Sequence, residues 1–165
     1  MIHLKIYFLL PLLLYAFSAF PQGNNSQDQA RTAELDQFWN EVSRTIAEGD
    51  FEAYAATFHE KATLVSGIGD KAYPIATALS GWKKEFDDTK AGLRKSSVAF
   101  RFNRRLGDPT TAYESGIFFY SFEQNGEKNG YYIHFDGLLI KDGTWKMMLE
   151  YQKSRASKEE WDALK

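Results

Sequence analysis

Three polar side chains near the end of the sequence could carry out acid–base chemistry: His134, Asp136 and Tyr151. They lie in two stretches of alternating apolar and polar residues, joined by Asp142-Gly143, a dipeptide typical of tight hairpin turns. If this dipeptide is a two-residue turn, His134 lies opposite Tyr151, and Asp136 shares their face of the sheet. A histidine held by a carboxylate can act as a general acid or base near neutral pH, and a tyrosine can donate to a developing oxyanion.

The remaining residues of this predicted face are mainly apolar, and a mainly apolar surface with a few converging polar groups is typical of a ligand cavity. The alternative is structural, because polar groups on a sheet face can bond one another or lie at its solvated end. With side chains from the predicted helices added, the expected ligand pocket consists of Trp39, Tyr54, Phe58, Trp82, Tyr113, Ser115, Ile117, Leu138, Trp145, Met147 and Leu149.

The opposite face is predicted to be too aromatic for a surface that meets only solvent. We therefore expect a partner to cover it, and a homodimer through this outer sheet face is the simplest choice. The residues assigned to this face are Glu114, Phe118, Tyr120, Phe122, Tyr132, Phe135, Met148 and Glu150.

The elements that carry these residues follow from the spacing of apolar positions. Helical spacing predicts a helix over residues 33–48 that ends at Gly49, and Asp50 can cap a second helix at about residues 51–58. A short strand is expected at residues 62–66, and Pro74 suits the start of a third helix. From Arg94 onward the period is two, which predicts antiparallel strands, with a hairpin turn at Asn125-Gly126 or at Asn129-Gly130. Ser157 and Glu160 are predicted to form a capping box that opens the tail helix. Helices followed by a strand meander indicate an α+β fold.

The N-terminus is typical of a secretory signal. Lys5 precedes an apolar stretch that is too short to span a bilayer, so residues 1–18 are predicted to be a cleaved signal peptide. Residues 19–32 are expected to form a flexible leader, 33–153 the folded domain, and 154–165 a short helical tail. The protein is therefore predicted to be exported, periplasmic or secreted, without stable membrane insertion after cleavage.

Composition excludes several classes of function. The 165 residues include no cysteine, which removes disulfides, thiolate nucleophiles and cysteine-ligated metals. The net charge of −2 argues against a general nucleic-acid binder, which needs a basic face. Beyond the signal only His59 and His134 remain as histidines, on different predicted elements, so neither a metal nor another cofactor is expected. Aromatic residues reach 16%, enough to fill a core and also line a cavity.

Three segments together resemble the nuclear transport factor 2-like superfamily. They are residues 38–51, with a helix that ends in Gly49-Asp50, residues 54–65, with a Phe-His-x-x-Ala strand entry, and residues 139–147, with a late Asp-Gly-x-Trp-Lys turn. These segments are similar to SnoaL-like and ketosteroid-isomerase-like proteins and to the group filed as domain of unknown function 4440. The resemblance covers about residues 33–153 and implies a cone-like curved antiparallel sheet packed on three N-terminal helices.

The resemblance also allows the catalytic positions of ketosteroid isomerases to be matched. Their carboxylate base corresponds here to Ser66 and their oxyanion-hole tyrosine to Val42, so neither part of that machinery is present. We therefore predict a small-molecule-binding domain that holds an apolar or cyclic ligand in an aromatic-lined cone. The alternative is an isomerase, dehydratase or cyclase that uses His134 and Asp136 as general acid and base.

Overall fold

The computed structural model describes residues 23–164, which form four helices and six strands. The predicted signal peptide, residues 1–18, lies outside the described residues. The elements in chain order are α1 (Gly23–Glu48), α2 (Phe51–Ala56), β1 (Phe58–Ser66), β2 (Lys71–Pro74), α3 (Ile75–Lys90), β3 (Arg94–Gly107), β4 (Thr111–Gln124), β5 (Glu127–Asp142), β6 (Thr144–Arg155) and α4 (Lys158–Ala163).

The six strands form one curved sheet in the order β2-β1-β6-β5-β4-β3, with helices α1 to α3 packed against one side. The α+β class is confirmed. The sheet is mixed rather than purely antiparallel, because β1 pairs with β6 in the parallel direction while all other neighbours are antiparallel. The predictions also lack β2, a four-residue strand that is largely exposed and therefore has no hydrophobic alternation to reveal it.

Helix α1 begins at Gly23, ten residues before the predicted start at residue 33. The predicted leader, residues 19–32, therefore overlaps this helix from Gly23 onward. The polar first turns are held by Arg31, whose buried guanidinium donates to Asp28 Oδ1 at 2.7 Å and to the Gly107 carbonyl at 2.6 Å. These bonds attach the start of α1 to the end of β3. In the described part of the chain, no helix is long and apolar enough to cross a membrane.

The junction between α1 and α2 matches its prediction. Gly49 has a positive φ of 68°, and the backbone N–H of Asp50 donates to the Thr45 carbonyl at 2.9 Å, which closes the end of α1. The Asp50 carboxylate accepts from Ala53 N at 3.2 Å and caps α2. A Cβ at Gly49 would lie 2.4 Å from Lys90 N, so the absent side chain also lets α3 approach closely.

The two predicted hairpin turns differ in outcome. Asn125-Gly126 is a tight turn with φ of 55° and 81°, and the β4–β5 register that it implies is confirmed, with Ile117 opposite His134. The predicted register of the Asp142-Gly143 hairpin is wrong. The strands pair as far as Asp142 opposite Thr144, so the register is displaced by one residue. Two register shifts further along β6 displace it again, at Leu138/Leu139 and at His134/Phe135.

A one-residue displacement exchanges the two faces of a strand. The face that packs against α1 to α3, here called the inner face, carries Phe118, Tyr120, Phe135 and Glu150, which were assigned to a partner-covered surface. The protein's own helices cover that aromatic face, so it is not available to a homodimer. The opposite side, here called the outer face, carries His134, Asp136 and Tyr151 along with the residues paired with them.

Helix α4 packs on the outer face. Its capping box at Ser157 and Glu160 is present as predicted, and Trp161 lies against the rings of Phe119 and Tyr132 at centroid distances of 6.2 and 5.7 Å. Arg101 donates to the Trp161 carbonyl at 2.8 Å, which fixes the helix on β3.

We expect Gly49→Ala to lower the free energy of unfolding by about 2 kcal/mol or more, because it adds both a strained φ and a clash with α3. Gly81→Ala is the matched control. Gly81 is exposed within α3 and a Cβ there meets nothing within 4 Å, so this change should stabilise the protein by about 0.5–1 kcal/mol. Urea unfolding of both variants measures the difference. Equal effects of the two changes would contradict the account of this junction.

Candidate functional site

A cavity of about 370 Å³ lies between helices α1 to α3 and the inner face of the sheet. Its walls are mainly aromatic and aliphatic, and it opens beside the loop between β1 and β2, where Ile68 is 46% exposed. The apolar lining residues are Phe38, Trp39, Val42, Ile46, Tyr54, Phe58, Ile68, Trp82, Phe86, Val98, Phe100, Phe118, Tyr120, Tyr131, Ile133, Phe135 and Met147.

The walls are fixed by ring packing between the helices and the sheet. Trp39 of α1 lies 4.5 Å from Phe100 and 5.5 Å from Phe135, measured between ring centroids. Tyr54 of α2 lies 4.8 Å from Phe86 of α3. Because each ring contacts another element, the cavity exists without a ligand to hold it open, as expected of a largely pre-formed site.

Glu150 of β6 is the carboxyl group that lines the interior of the cavity. Burial raises the pKa of Glu150, although the amide of Gln152, which donates to Glu150 Oε1 at 2.7 Å, acts in the opposite direction. No Lys or Arg lies within ion-pair distance of this carboxyl among residues 23–164. Since apolar surroundings favour the neutral form, Glu150 can exchange a proton or donate a hydrogen bond closer to neutral pH than an exposed glutamate.

Two tyrosines add hydroxyl groups to the walls. Burial, followed by the negative charge of Glu150, raises the pKa of Tyr54 well above its ordinary value, so its phenol stays neutral. The described residues supply no hydrogen-bond partner for the Tyr54 hydroxyl, which leaves it free to bond a ligand. The Tyr120 hydroxyl is already engaged, because it accepts from Arg94 at 3.0 Å and donates to Glu85 Oε2 at 3.1 Å.

A buried ion pair lies beside Trp39, which lines the cavity. The Glu114 side chain is fully buried, and its carboxylate accepts from Trp39 Nε1 and from Arg105 Nε, the latter at 2.6 Å. Arg105 also donates to Asp36 at 2.6 Å and lies 4.5 Å from the ring of Phe102. Because every charge here has a partner, this group holds α1 on the sheet rather than serving a ligand.

The predicted pocket residues divide between the two faces. Trp39, Tyr54, Phe58, Trp82 and Met147 line the cavity. Trp145 lies on the inner face but beyond the cavity, where its indole donates to Glu34 Oε2 at 2.9 Å. The register places the others on the outer face, namely Tyr113, Ser115, Ile117, Leu138 and Leu149.

The three predicted acid–base residues also lie on the outer face, and each is paired differently from its prediction. His134 Nε2 lies 3.2 Å from Glu160 Oε1 of α4. Burial alone would raise the pKa of Asp136, but bonds from Lys153 at 2.9 Å and from neighbouring hydroxyls lower it. Tyr151 pairs opposite Asp136 in the sheet, whereas the prediction placed it opposite His134. None of the three lines the cavity.

On β6, the polar residues of the cavity that the predicted pocket did not include are Glu150, Gln152 and Arg155. Their signal in the sequence is the run Met147-Met148-Leu149, where alternation fails because one extra residue enters β6. After an extra residue, each following side chain of a strand lies on the opposite face from the one that simple alternation predicts. Glu150 therefore lies on the inner face. Among the described residues, no group of three or more His, Cys, Asp or Glu could hold a metal ion.

No protein-family model and no curated protein matches the sequence. Solved structures are similar in fold. An NTF-2-like protein of unknown function from Shewanella oneidensis has a TM-score of 0.56 at 17% identity, covering 73% of this chain and 96% of that one. A scytalone-dehydratase-like protein from Novosphingobium aromaticivorans has a TM-score of 0.61 at 13% identity, covering 81% and 89%.

A ketosteroid-isomerase-like protein from Erwinia carotovora has a TM-score of 0.56 at 14% identity, covering 81% of this chain and 98% of that one. The chain therefore has the nuclear transport factor 2-like fold that the sequence resemblance implied. Identities this low establish the fold alone, and the same fold can carry different functions.

Replacing Glu150 by Gln tests whether its carboxyl is held in the cavity. A carboxyl whose folded-state pKa is raised binds more protons when folded, so stability falls as pH rises from the ordinary carboxyl range through that pKa. Glu150→Gln removes this pH dependence of the unfolding free energy, whose slope reaches up to about 1.4 kcal/mol per pH unit. The variant should therefore be more stable than the wild type at pH values above the ordinary carboxyl range. The exposed Glu60→Gln is the control. Parallel curves of unfolding free energy against pH for wild type and Glu150→Gln would contradict the assignment.

Proposed function

We propose that the protein binds an apolar or cyclic small molecule in the cavity between its helices and its sheet. The observation that carries the proposal is a cavity of about 370 Å³ whose lining is mainly aromatic and aliphatic, with polar side chains in the minority. That volume lies in the range of small-molecule sites, about 300–1,000 Å³. Aromatic rings bury a flat ligand, while Glu150 and the Tyr54 hydroxyl fix its orientation.

The polar groups favour a ligand with an acceptor or a donor on its apolar body. The Tyr54 hydroxyl donates to a carbonyl or ether oxygen, and Glu150 bonds either kind of group, depending on its protonation. A ligand without such a group leaves Glu150 with only the Gln152 amide, which costs binding energy in an apolar site.

The alternative is an enzyme of the isomerase, dehydratase or cyclase kind, with Glu150 in the role that the sequence assigned to His134 and Asp136. Its raised pKa, caused by burial, is the observation that favours this alternative. The names of the scytalone-dehydratase-like and ketosteroid-isomerase-like neighbours are compatible with it. Under this alternative Glu150→Gln abolishes turnover but not binding, whereas a pure binder loses at most part of its affinity.

Export, with residues 1–18 as a signal peptide, is also part of the proposal, because a cysteine-free aromatic domain is compatible with a periplasmic or secreted location.

A homodimer is proposed too, but through a surface other than the inner face. On the outer face, Leu106 and Leu138 are 46% and 37% exposed and lie on neighbouring parts of β3, β4 and β5.

Binding can be tested with the neutral fluorescent probe phenylnaphthylamine. Titration of the wild type should give saturable fluorescence enhancement with one site per chain. Val98→Trp places a large ring in the cavity and should weaken binding by about tenfold or more, whereas Ala99→Trp adds the same ring to the exposed outer face of the same strand and should not. Equal affinities of the two variants, or no saturable binding to the wild type, would overturn the proposed function.

A further inference from the structure

Arg155 stands at the mouth of the cavity, at the end of β6. Its backbone is fixed by pairing with Ile133 of β5, and the next residue, Ala156, donates its N–H to the Tyr132 carbonyl at 2.9 Å. The guanidinium lies 4.3 Å from the ring of Tyr131, which also lines the mouth. This cation–π contact holds the charge at the opening while its hydrogen-bond donors stay available.

Arg155 lacks the carboxylate partner that most arginines of this protein have. Within residues 23–164, five arginines form ion pairs of 4.0 Å or less, and Arg104 and Arg155 form none. Arg104 lies exposed on the outer face, opposite Ser115, away from the cavity. Arg155 is therefore the unpaired arginine that lines the cavity.

Further donors lie beside it along the same wall. Gln152 faces the cavity and uses one amide N–H on Glu150, which leaves the second N–H free. The Ser66 oxygen accepts from Gly69 N at 3.0 Å, so its own proton remains available. Ser66 is the last residue of β1, and the loop that follows it contacts β6, because Gly67 N donates to the Gln152 carbonyl at 2.8 Å.

The two carboxylates of the cavity do not oppose an anion at this point. Glu85 accepts from Arg94 at 3.4 Å and from the Tyr120 hydroxyl at 3.1 Å, so its charge is already paired. Glu150 accepts from the Gln152 amide at 2.7 Å, and its apolar surroundings favour the neutral form of its carboxyl group, so it does not add a second negative charge beside the ligand's acidic group. The mouth is therefore cationic and the interior apolar.

We propose that the cavity takes an amphipathic anion, with an apolar ring or chain inside the cone and a single carboxylate or sulfonate at the mouth against Arg155, Gln152 and Ser66. This inference rests on the proposed function and specifies its ligand class. A planar acidic group suits the guanidinium, whose parallel N–H donors bind two oxygens at once. Multiply charged ligands are disfavoured, because the interior provides no second unpaired cation.

A matched pair of probes separates the acidic group from the apolar body. Phenylnaphthylamine is neutral, and anilinonaphthalene sulfonate is the same ring system with one sulfonate added. We expect the wild type to bind the sulfonate about tenfold more tightly than the neutral probe. In Arg155→Met this preference should disappear, so that the two probes bind about equally, and Arg155→Lys should retain most of it. Arg104→Met, which removes the same charge from the outer face, should behave as the wild type.

The outcomes distinguish this inference from the proposed function. Equal affinity of the wild type for the two probes, or equal losses of sulfonate binding in Arg155→Met and Arg104→Met, would overturn the anion site and leave the cavity as a binding site for neutral molecules. Absence of binding of both probes to the wild type would overturn the proposed function itself. A circular dichroism spectrum and a thermal unfolding midpoint like those of the wild type show that Arg155→Met is folded.

Discussion

The pairing of β6 with the strands on either side of it decides which residues line the cavity. Met147 lies opposite Leu139 and Phe58, and then one extra residue enters the strand, so that Glu150 rather than Leu149 faces inward. Gly137 is the residue paired with Glu150, and its missing side chain lets the Met147 side chain pack over it, since a Cβ there would lie 3.3 Å from Met147 Sδ and Cε. A single strand thus supplies an apolar floor, a buried carboxyl group and a cation at the mouth, in that order.

Charge is used differently outside and inside the cavity. Outside the cavity lining, Glu114 is fully buried and accepts from Arg105 and Trp39, so its role is to hold α1 against the sheet. Removing one partner of such a buried ion pair leaves the other charge buried without a partner, so the pair has a structural role. In the cavity lining, Glu150 has an amide as its partner and Arg155 has a ring. Ionisable groups without a counter-charge are where a ligand can gain binding energy.

The fold could be predicted from the sequence because its signals are local: helical spacing before Gly49, the cap at Asp50 and the turn at Asn125-Gly126. The site could not, because the face of a strand depends on register. The one-residue displacement at Gly143 puts His134 and Asp136 on the face opposite Met147, and the extra residue beside Met148 turns Glu150 inward, so Glu150 lines the cavity in which His134 was predicted. Side chains carried by helices and by β1, such as Trp39, Trp82 and Phe58, were placed in the cavity independently of that register.

The most direct test of this account is a crystal structure of the protein with anilinonaphthalene sulfonate bound. The account predicts the rings between Trp82, Phe100 and Phe135, with the sulfonate within hydrogen-bond distance of Arg155. Binding of the rings on the outer face beside Asp136 and Tyr151, with no probe in the cavity, would contradict the account. The binding site would then be on the face that carries the residues first predicted from the sequence.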